Sequence, residues 1–122
     1  SFNDPKKILK KYELGTAHHK SLHLISFYKG ITISQLLNKL NVTKQSLNRV
    51  LNDLKKLNLL EFKKDAKDSR VRHIYLSEKG NKIYGEIFVN QKKRIYKAFL
   101  NSSAKEVLNF DLVLKRILDE KF

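Results

Sequence analysis

The stretch from Thr32 to Gly80, TISQLLNKLNVTKQSLNRVLNDLKKLNLLEFKKDAKDSRVRHIYLSEKG, decides the fold of this chain. Its first half contains two short amphipathic helical patterns joined by a turn. Its second half contains two segments rich in β-branched and aromatic residues, 60–64 and 71–76, on either side of the polar loop Asp65-Ala66-Lys67-Asp68-Ser69-Arg70. Two helices followed by a basic hairpin are typical of a winged helix-turn-helix, so double-stranded DNA is the predicted partner.

Capping residues predict the bounds of the two central helices. Thr32 and Gln35 have the spacing of a capping box, which predicts the start of the first helix. Thr43 predicts the N-cap of the second helix, in which apolar residues recur at spacings of three and four: Leu47, Val50, Leu51, Leu54 and Leu57. Asn41 and Asn58 follow the two helices, and Asn is the non-glycine residue that best tolerates a left-handed turn.

Further helices are predicted on both sides of this stretch. Asp4 predicts the start of an N-terminal helix that ends near Gly15, and Thr16 predicts the N-cap of the next helix. Ser77 predicts the N-cap of a helix with an apolar stripe at Tyr84, Phe88, Ile95 and Phe99. A last helix begins near Ala104.

The predicted fold class is mainly α with a small β-hairpin wing, an α+β winged helix-turn-helix flanked by N- and C-terminal dimerisation helices. The predicted organisation is a single domain, 1–122, with a DNA-binding lobe at 17–80 and dimerisation helices at 1–16 and 81–122. The last two helices carry more apolar residues than one face can hold, which favours a twofold dimer over a monomer with a tightly wrapped C-terminal helix. The predicted dimerisation residues are Ile8, Tyr12, Phe99, Val107, Phe110, Leu114, Ile117 and Leu118.

The composition favours a polyanionic partner. The net charge is +14, from 26 Lys and Arg against 12 Asp and Glu. Charge alone does not choose among DNA, RNA and an anionic membrane, and a codon-biased genome could also raise it. The chain has no Cys, which excludes disulfides and thiolate metal sites. Because no apolar run approaches the length of a membrane span, we expect a cytoplasmic, nucleoid-associated protein without a membrane partner.

The second central helix presents polar side chains that can reach base edges and phosphates. Gln and Asn can pair bidentately with adenine and Arg with guanine, so this helix could read sequence in a major groove. The alternative is an ordinary solvated helix face. The candidate DNA-binding residues on this helix are Thr43, Lys44, Gln45, Ser46, Asn48 and Arg49.

The predicted hairpin favours the DNA interpretation. Its loop can lie against the DNA backbone or enter a narrow minor groove, where Arg is favoured. Asp68 lies close enough in sequence to Arg70 to orient its guanidinium through a bidentate pair. The candidate wing residues are Lys63, Lys64, Lys67, Asp68, Arg70 and Arg72.

Four segments together resemble a known family. They are Thr32-Ile33-Ser34-Gln35-Leu36, Asn58-Leu59-Leu60, Asp68-Ser69-Arg70 and Ile74-Tyr75-Leu76-Ser77-Glu78-Lys79-Gly80, and their order resembles the MarR family of bacterial transcriptional regulators. The resemblance implies a homodimer with recognition helices in successive major grooves, wings over the flanking minor grooves and a pseudo-palindromic operator. It implies that Gln45, Ser46, Asn48 and Arg49 either read bases or position the helix on DNA. It also implies that Arg70 is the wing-tip residue. Asn41 and Asn58 depart from the family, where glycine is usual.

The resemblance also bears on ligands. Members of the family often bind small anionic or phenolic ligands, so a small-molecule effector of unknown identity is expected and no cofactor. His19 and His23 are one helical turn apart, a spacing that can hold a metal. A third ligand is required, and the candidate nearest in sequence is Glu13. Polar or pH-titrating roles are therefore favoured for His18, His19 and His23, and no metal site is assigned.

The leading hypothesis is a dimeric, sequence-specific transcriptional regulator that acts as a repressor by occluding a promoter. One alternative is an architectural protein that coats DNA without sequence preference. Another is a winged helix that serves as a protein-interaction module. An enzyme is not predicted and no catalytic residue is assigned, because the glycines form no phosphate-binding loop and no nucleophile and base stand out.

Overall fold

The computed structural model describes Lys10 and residues 14–119, with the backbone alone for residues 117–119. Within these residues the chain forms five helices and a three-stranded sheet. The elements are α1 (Thr16–Phe27), β1 (Ile31–Thr32), α2 (Ile33–Leu40), α3 (Lys44–Lys56), β2 (Leu60–Lys64), β3 (Arg72–Leu76), α4 (Glu78–Leu100) and α5 (Ala104–Asp119). The predicted N-terminal helix with Ile8 and Tyr12 lies outside the described residues, as do the side chains of Ile117 and Leu118.

The predicted caps of the two central helices are confirmed. The Thr32 hydroxyl accepts a hydrogen bond from the backbone N–H of Gln35 at 3.2 Å, and the Gln35 side chain accepts from the backbone N–H of Thr32 at 3.0 Å. Asn41 has φ 52° and Asn58 has φ 60°, both left-handed. The backbone N–H of Leu59 bonds to the carbonyl of Leu54. These bonds satisfy orphan groups at the start of α2 and at the end of α3.

The start of α1 differs from the prediction. Gly15 is the N-cap and Thr16 is the first helical residue. The backbone N–H of Gly15 donates to Nδ1 of His18 at 3.0 Å, so the imidazole at the third helical position satisfies the N–H of the N-cap residue, as Glu or Gln does in a capping box. The predicted second strand also starts one residue late, at Arg72, because the N–H and C=O of Val71 both close the wing turn.

The sheet is antiparallel with the order β1-β3-β2. The hairpin pairs Leu60 with Leu76 and Lys64 with Arg72, which confirms the predicted wing. Strand β1 was not predicted, because a two-residue strand is too short to show alternation. It pairs Ile31 with Ile74 and ties the wing to the end of α1.

The core of the winged helix lies between α1, α2, α3, the sheet and the first half of α4. Its fully buried apolar side chains are Leu22, Ile25, Leu36, Leu47, Leu54, Leu59, Ile74 and Ile87. Helix α4 enters this core through Gly80, Ile83 and Ile87. The stripe predicted for α4 is therefore wrong in this half, where Phe88 is exposed and Tyr84 only partly buried.

The chain divides into two compact units, with the boundary between Phe88 and Val89 inside α4. The second unit contains the end of α4 and α5, and among residues 92–116 none is buried. A groove of about 680 Å³ lies between these two helix segments, lined mainly by apolar side chains that include Ile95, Phe99, Val107, Phe110 and Leu114. No described helix has both the length and the apolar character needed to cross a membrane.

Candidate nucleic-acid interface

Helix α3 separates its apolar and polar residues cleanly. Leu47, Val50, Leu51 and Leu54 are buried against the core. The six candidate DNA-binding residues, Thr43 to Ser46 with Asn48 and Arg49, are all exposed. Among the described residues no hydrogen bond engages the side chain of Gln45, Asn48 or Arg49. The first two turns of α3 therefore offer amide and guanidinium groups to an external partner.

The first turn of α3 is organised by two hydroxyls. The Thr43 hydroxyl accepts from the backbone N–H of Ser46 at 3.1 Å and lies 2.9 Å from the Ser46 hydroxyl, to which it donates. Its only proton is thereby used within the helix cap. Ser46 keeps its own proton, which can be donated to a phosphate or a base acceptor. The two residues were predicted together as DNA contacts, and this geometry gives Thr43 a positioning role.

The wing turn is built around the carboxylate of Asp65. Its Oδ2 accepts the backbone N–H groups of Lys67 and Asp68, each at 3.0 Å, and the backbone N–H of Asp65 bonds to the carbonyl of Val71 at 2.9 Å. A carboxylate that accepts several N–H groups is stabilised in its ionised form. The pKa of Asp65 is accordingly lowered to about 2, chiefly by its hydrogen bond to His73 and then by these two amides.

At the tip of the wing, Asp68 holds Arg70 as predicted. Nε and Nη2 of the guanidinium donate to the two carboxylate oxygens at 3.0 and 3.1 Å. This pairing lowers the pKa of Asp68 and raises that of Arg70. The Arg70 side chain is nevertheless 89% exposed, and the pair uses two of its five N–H donors. An oriented guanidinium with three remaining donors thus projects from the wing.

The other wing cations do not share one face. Lys64 and Arg72 are directly opposite each other in the hairpin, whereas Lys63 is opposite His73 on the other face. The Lys63 ammonium lies 4.9 Å from the centre of the Tyr75 ring, a cation–π contact. Two like charges directly opposite in a hairpin are destabilising, and a polyanion lying across them removes that cost. The exposed Lys67 stands apart from both groups, in the turn.

The histidine on β3 organises the wing and was missed by the sequence analysis. His73 Nδ1 lies 2.7 Å from the carbonyl oxygen of Gly30, and Nε2 lies 2.7 Å from Oδ1 of Asp65. One side chain therefore joins the wing turn to the loop before β1. No local signal could identify this role, because the two partners come together only through the register of the sheet.

Comparisons with known proteins agree with this architecture. The sequence profile of the MarR family matches residues 13–71. The HTH-type transcriptional regulator PetP of Rhodobacter capsulatus is 38% identical over 116 residues, which span 95% of this chain and 70% of PetP. The chain belongs to the MarR family. It is a DNA-binding transcriptional regulator and not an enzyme.

Solved structures share the MarR-family fold at lower identity. Streptococcus pneumoniae FabT, crystallised in complex with DNA, has a TM-score of 0.79 at 23% identity, with 87% of this chain and 74% of FabT covered. Staphylococcus aureus MarR, in complex with salicylate and kanamycin, has a TM-score of 0.77 at 17% identity, with 94% of this chain and 78% of the Staphylococcus aureus chain covered. At these identities the likeness establishes the fold of this MarR-family chain.

The α1 histidines of this MarR-family protein have partners within the protein. His18 Nε2 lies 2.8 Å from the Asp53 carboxylate, and His23 Nδ1 is hydrogen-bonded to the Tyr84 hydroxyl. Burial and the neighbouring His23 lower the pKa of His19. Within the described part of the chain no three His, Asp or Glu side chains are grouped to hold a metal ion.

Proposed function

We propose that this MarR-family protein is a homodimeric, sequence-specific regulator that binds a pseudo-palindromic operator and represses transcription by occluding a promoter. The observation that carries the proposal is the exposed polar face of α3, with Gln45, Asn48 and Arg49 unengaged, beside a wing that projects Arg70. Helix α3 would lie in the major groove and the wing against the flanking minor groove.

Within this arrangement the side chains have different tasks. Gln45, Asn48 and Arg49 have the fork geometries that discriminate adenine and guanine, so they would read bases. Lys63, Lys64, Lys67 and Arg72 would neutralise phosphates and set affinity. Arg70, oriented by Asp68, would enter the minor groove, where a narrow A·T-rich groove concentrates negative potential.

The second unit supports the homodimer. Its described side chains are almost all exposed, although many are large and apolar: Phe99 is 38% exposed, Phe110 50% and Leu114 41%. Contiguous apolar surface of this kind marks a protein interface. A second copy would cover the same groove on each protomer, because a twofold axis presents one surface to itself. Two α3 helices held in this way would read two half-sites of a palindrome.

Control by a small-molecule effector completes the proposal. The aromatic rings of His23, Phe27, Tyr84 and Phe88 contact one another in sequence between α1 and α4, and Phe27 and Phe88 are exposed. Exposed aromatic rings suit a phenolic ligand. Salicylate is the first probe, and release of a bound operator on its addition is the expected result. An operator complex unaffected by a panel of phenolates and basic drugs would contradict sensing.

The decisive experiment is selection of bound duplexes from a random DNA pool at near-physiological salt, followed by sequencing. The expected result is an enriched inverted repeat with half-sites about one helical turn apart. Retained duplex without enrichment would instead favour the architectural alternative. No retained duplex would favour the protein-interaction alternative.

Substitutions then distinguish base readout by α3 from electrostatic binding to phosphates. Asn48→Ala and Gln45→Ala are expected to relax base preference at fixed operator positions, each by about 1–3 kcal/mol. Lys63→Gln and Lys67→Gln should lower the affinity for all DNA sequences alike. Each should also reduce the salt dependence of binding by about one ion. If all four substitutions act uniformly on every sequence, direct readout by α3 is wrong.

A further inference from the structure

We propose that His73 is a positioning residue that holds the wing in its DNA-binding shape as an imidazolium, so that DNA affinity falls as the pH rises and the imidazolium loses its proton. This inference rests on the proposed function of the wing. It assigns a role to a side chain that lies outside the expected DNA contacts.

The protonation state follows from the two partners of the ring. The carbonyl oxygen of Gly30 can only accept a hydrogen bond, so Nδ1 of His73, 2.7 Å away, must carry a proton. The two backbone N–H groups that Asp65 accepts stabilise its ionised form, and an ionised carboxylate can only accept, so Nε2 of His73 also donates across its 2.7 Å contact. A neutral imidazole has one N–H and can make only one of these two bonds.

Each bond ends on a different part of the wing lobe. Through Asp65 the imidazolium supports the turn that fixes the backbone of Lys67 and Asp68, and Asp68 in turn orients Arg70. Through Gly30 it holds the loop before β1, where Gly30 has φ +82° and lies against the Tyr75 hydroxyl. Loss of one N–H therefore removes the bond of His73 either to the wing turn or to the loop before β1.

The charged groups around His73 favour the same state. Asp65 is the only anion within hydrogen-bond distance among the described residues, and its side chain is 30% exposed, as against 29% for His73. On β2 the directly opposite residue is Lys63, whose ammonium lies over the Tyr75 ring, and on β1 the opposite residue is the uncharged Thr32. On the helices that pack against β3, His18 lies against Asp53, His19 beside His23, His23 against Tyr84 and Lys39 over the Tyr28 ring. Lys20, the other titratable group of α1, is exposed to solvent.

The direction of the pH effect follows from these contacts. The Asp65 carboxylate and then the Gly30 carbonyl raise the pKa of His73 above its ordinary value of 6.5. A group whose pKa is raised by folding contributes its stabilisation in full below 6.5 and loses it as the pH rises through the raised pKa. The wing should therefore be ordered at pH 6 and progressively released as the pH rises through the raised pKa of His73.

The first measurement follows the imidazole itself by NMR titration of the full chain without DNA. His73 is expected to titrate with a midpoint above 6.5, and the backbone amide signals of Lys67 and Asp68 are expected to move with the same midpoint. Asp65→Asn keeps an oxygen that can accept from the turn amides, and it should lower the His73 midpoint. A His73 midpoint at or below 6.5 in the wild-type protein would overturn the proposal. Backbone amide signals of Lys67 and Asp68 that do not shift with the His73 titration would also overturn it.

The second measurement is the affinity for a fluorescein-labelled mixed-sequence duplex at constant ionic strength. Between pH 6 and pH 9 the wild-type affinity is expected to fall about three- to tenfold more than that of His73→Gln, as for loss of one ordinary hydrogen bond in an exposed loop. The control His19→Gln replaces a histidine of α1 that lies outside the wing and outside the proposed effector site, and it should keep the wild-type profile. If His73→Gln keeps it too, the positioning role is wrong. Absence of duplex binding at every pH would instead refute the proposed function.

Discussion

Replacement of Gly80 by alanine tests the tightest backbone contact in the winged helix. A Cβ atom at Gly80 would lie 2.1 Å from the carbonyl oxygen of Leu59, whereas ordinary contact begins at about 3.4 Å. The start of α4 would have to move by about 1 Å or more, and the bond from the backbone N–H of Ser77 to the same carbonyl, now 2.9 Å, would be lost or stretched. Overpacking costs about 1–3 kcal/mol and the hydrogen bond about 1 kcal/mol.

Against this cost stands the gain of about 0.5–1 kcal/mol that alanine brings to a helix interior. The net expectation for Gly80→Ala is a loss of about 2–3 kcal/mol, or a midpoint of thermal unfolding about 10 °C lower. The measurement is thermal unfolding by circular dichroism at one fixed protein concentration, because a dimer unfolds in a concentration-dependent way.

Gly85→Ala is the matched control on the same helix, because a Cβ there meets nothing within 4 Å. It should stabilise the protein by about 0.5–1 kcal/mol and raise the midpoint by about 2–4 °C. Two identical substitutions five residues apart are thus expected to have opposite signs. If Gly80→Ala leaves the midpoint unchanged or raises it, the close approach of Leu59 to α4 is not part of the folded state in solution.

Four further outcomes are expected. Phe110→Glu should shift sedimentation equilibrium from dimer to monomer, since it places a charge in the apolar groove, whereas Lys105→Glu on the same helix should not. Arg70→Ala should reduce affinity mainly for operators with A·T-rich flanks in polarisation assays, and an equal loss on G·C-rich flanks would count against minor-groove insertion. Thr43→Ala should cost about 1 kcal/mol in urea unfolding, and Thr43→Asn should retain most of the cap. Because folding lowers the pKa of Asp65 to about 2, its stabilisation is present above pH 4 and lost as the pH falls toward 2, so Asp65→Asn should flatten this part of an acid-unfolding curve.

Local chemistry explains why much of this fold could be predicted from the sequence. The capping box of Thr32, the left-handed Asn41 and Asn58 and the N-cap of Thr43 each depend on residues within one helical turn. The bidentate pair between Asp68 and Arg70 depends on a spacing of two. Such short-range features leave patterns that a single sequence displays.

The features that were missed depend on long-range register. Strand β1 exists because Ile31 meets Ile74, and His73 acquires its role only when β3 lies beside the loop that contains Gly30. Helix α4 buries Ile83 and Ile87 where the spacing favoured Tyr84 and Phe88, because both pairs are four residues apart and only the shape of the core chooses between them. Proximity of this kind has no signature in one sequence.

The strand order has a consequence for how the protein behaves at high concentration. The central strand β3 is paired on both sides, so the long open edge of the sheet is β2. The other edge, β1, is only two residues long and offers little backbone to an incoming strand. Along β2 the exposed residues are Glu61, Lys63 and Lys64, and charges on an edge strand oppose strand addition and aggregation. The lysines proposed to meet phosphate therefore also keep the wings of separate molecules from joining edge to edge.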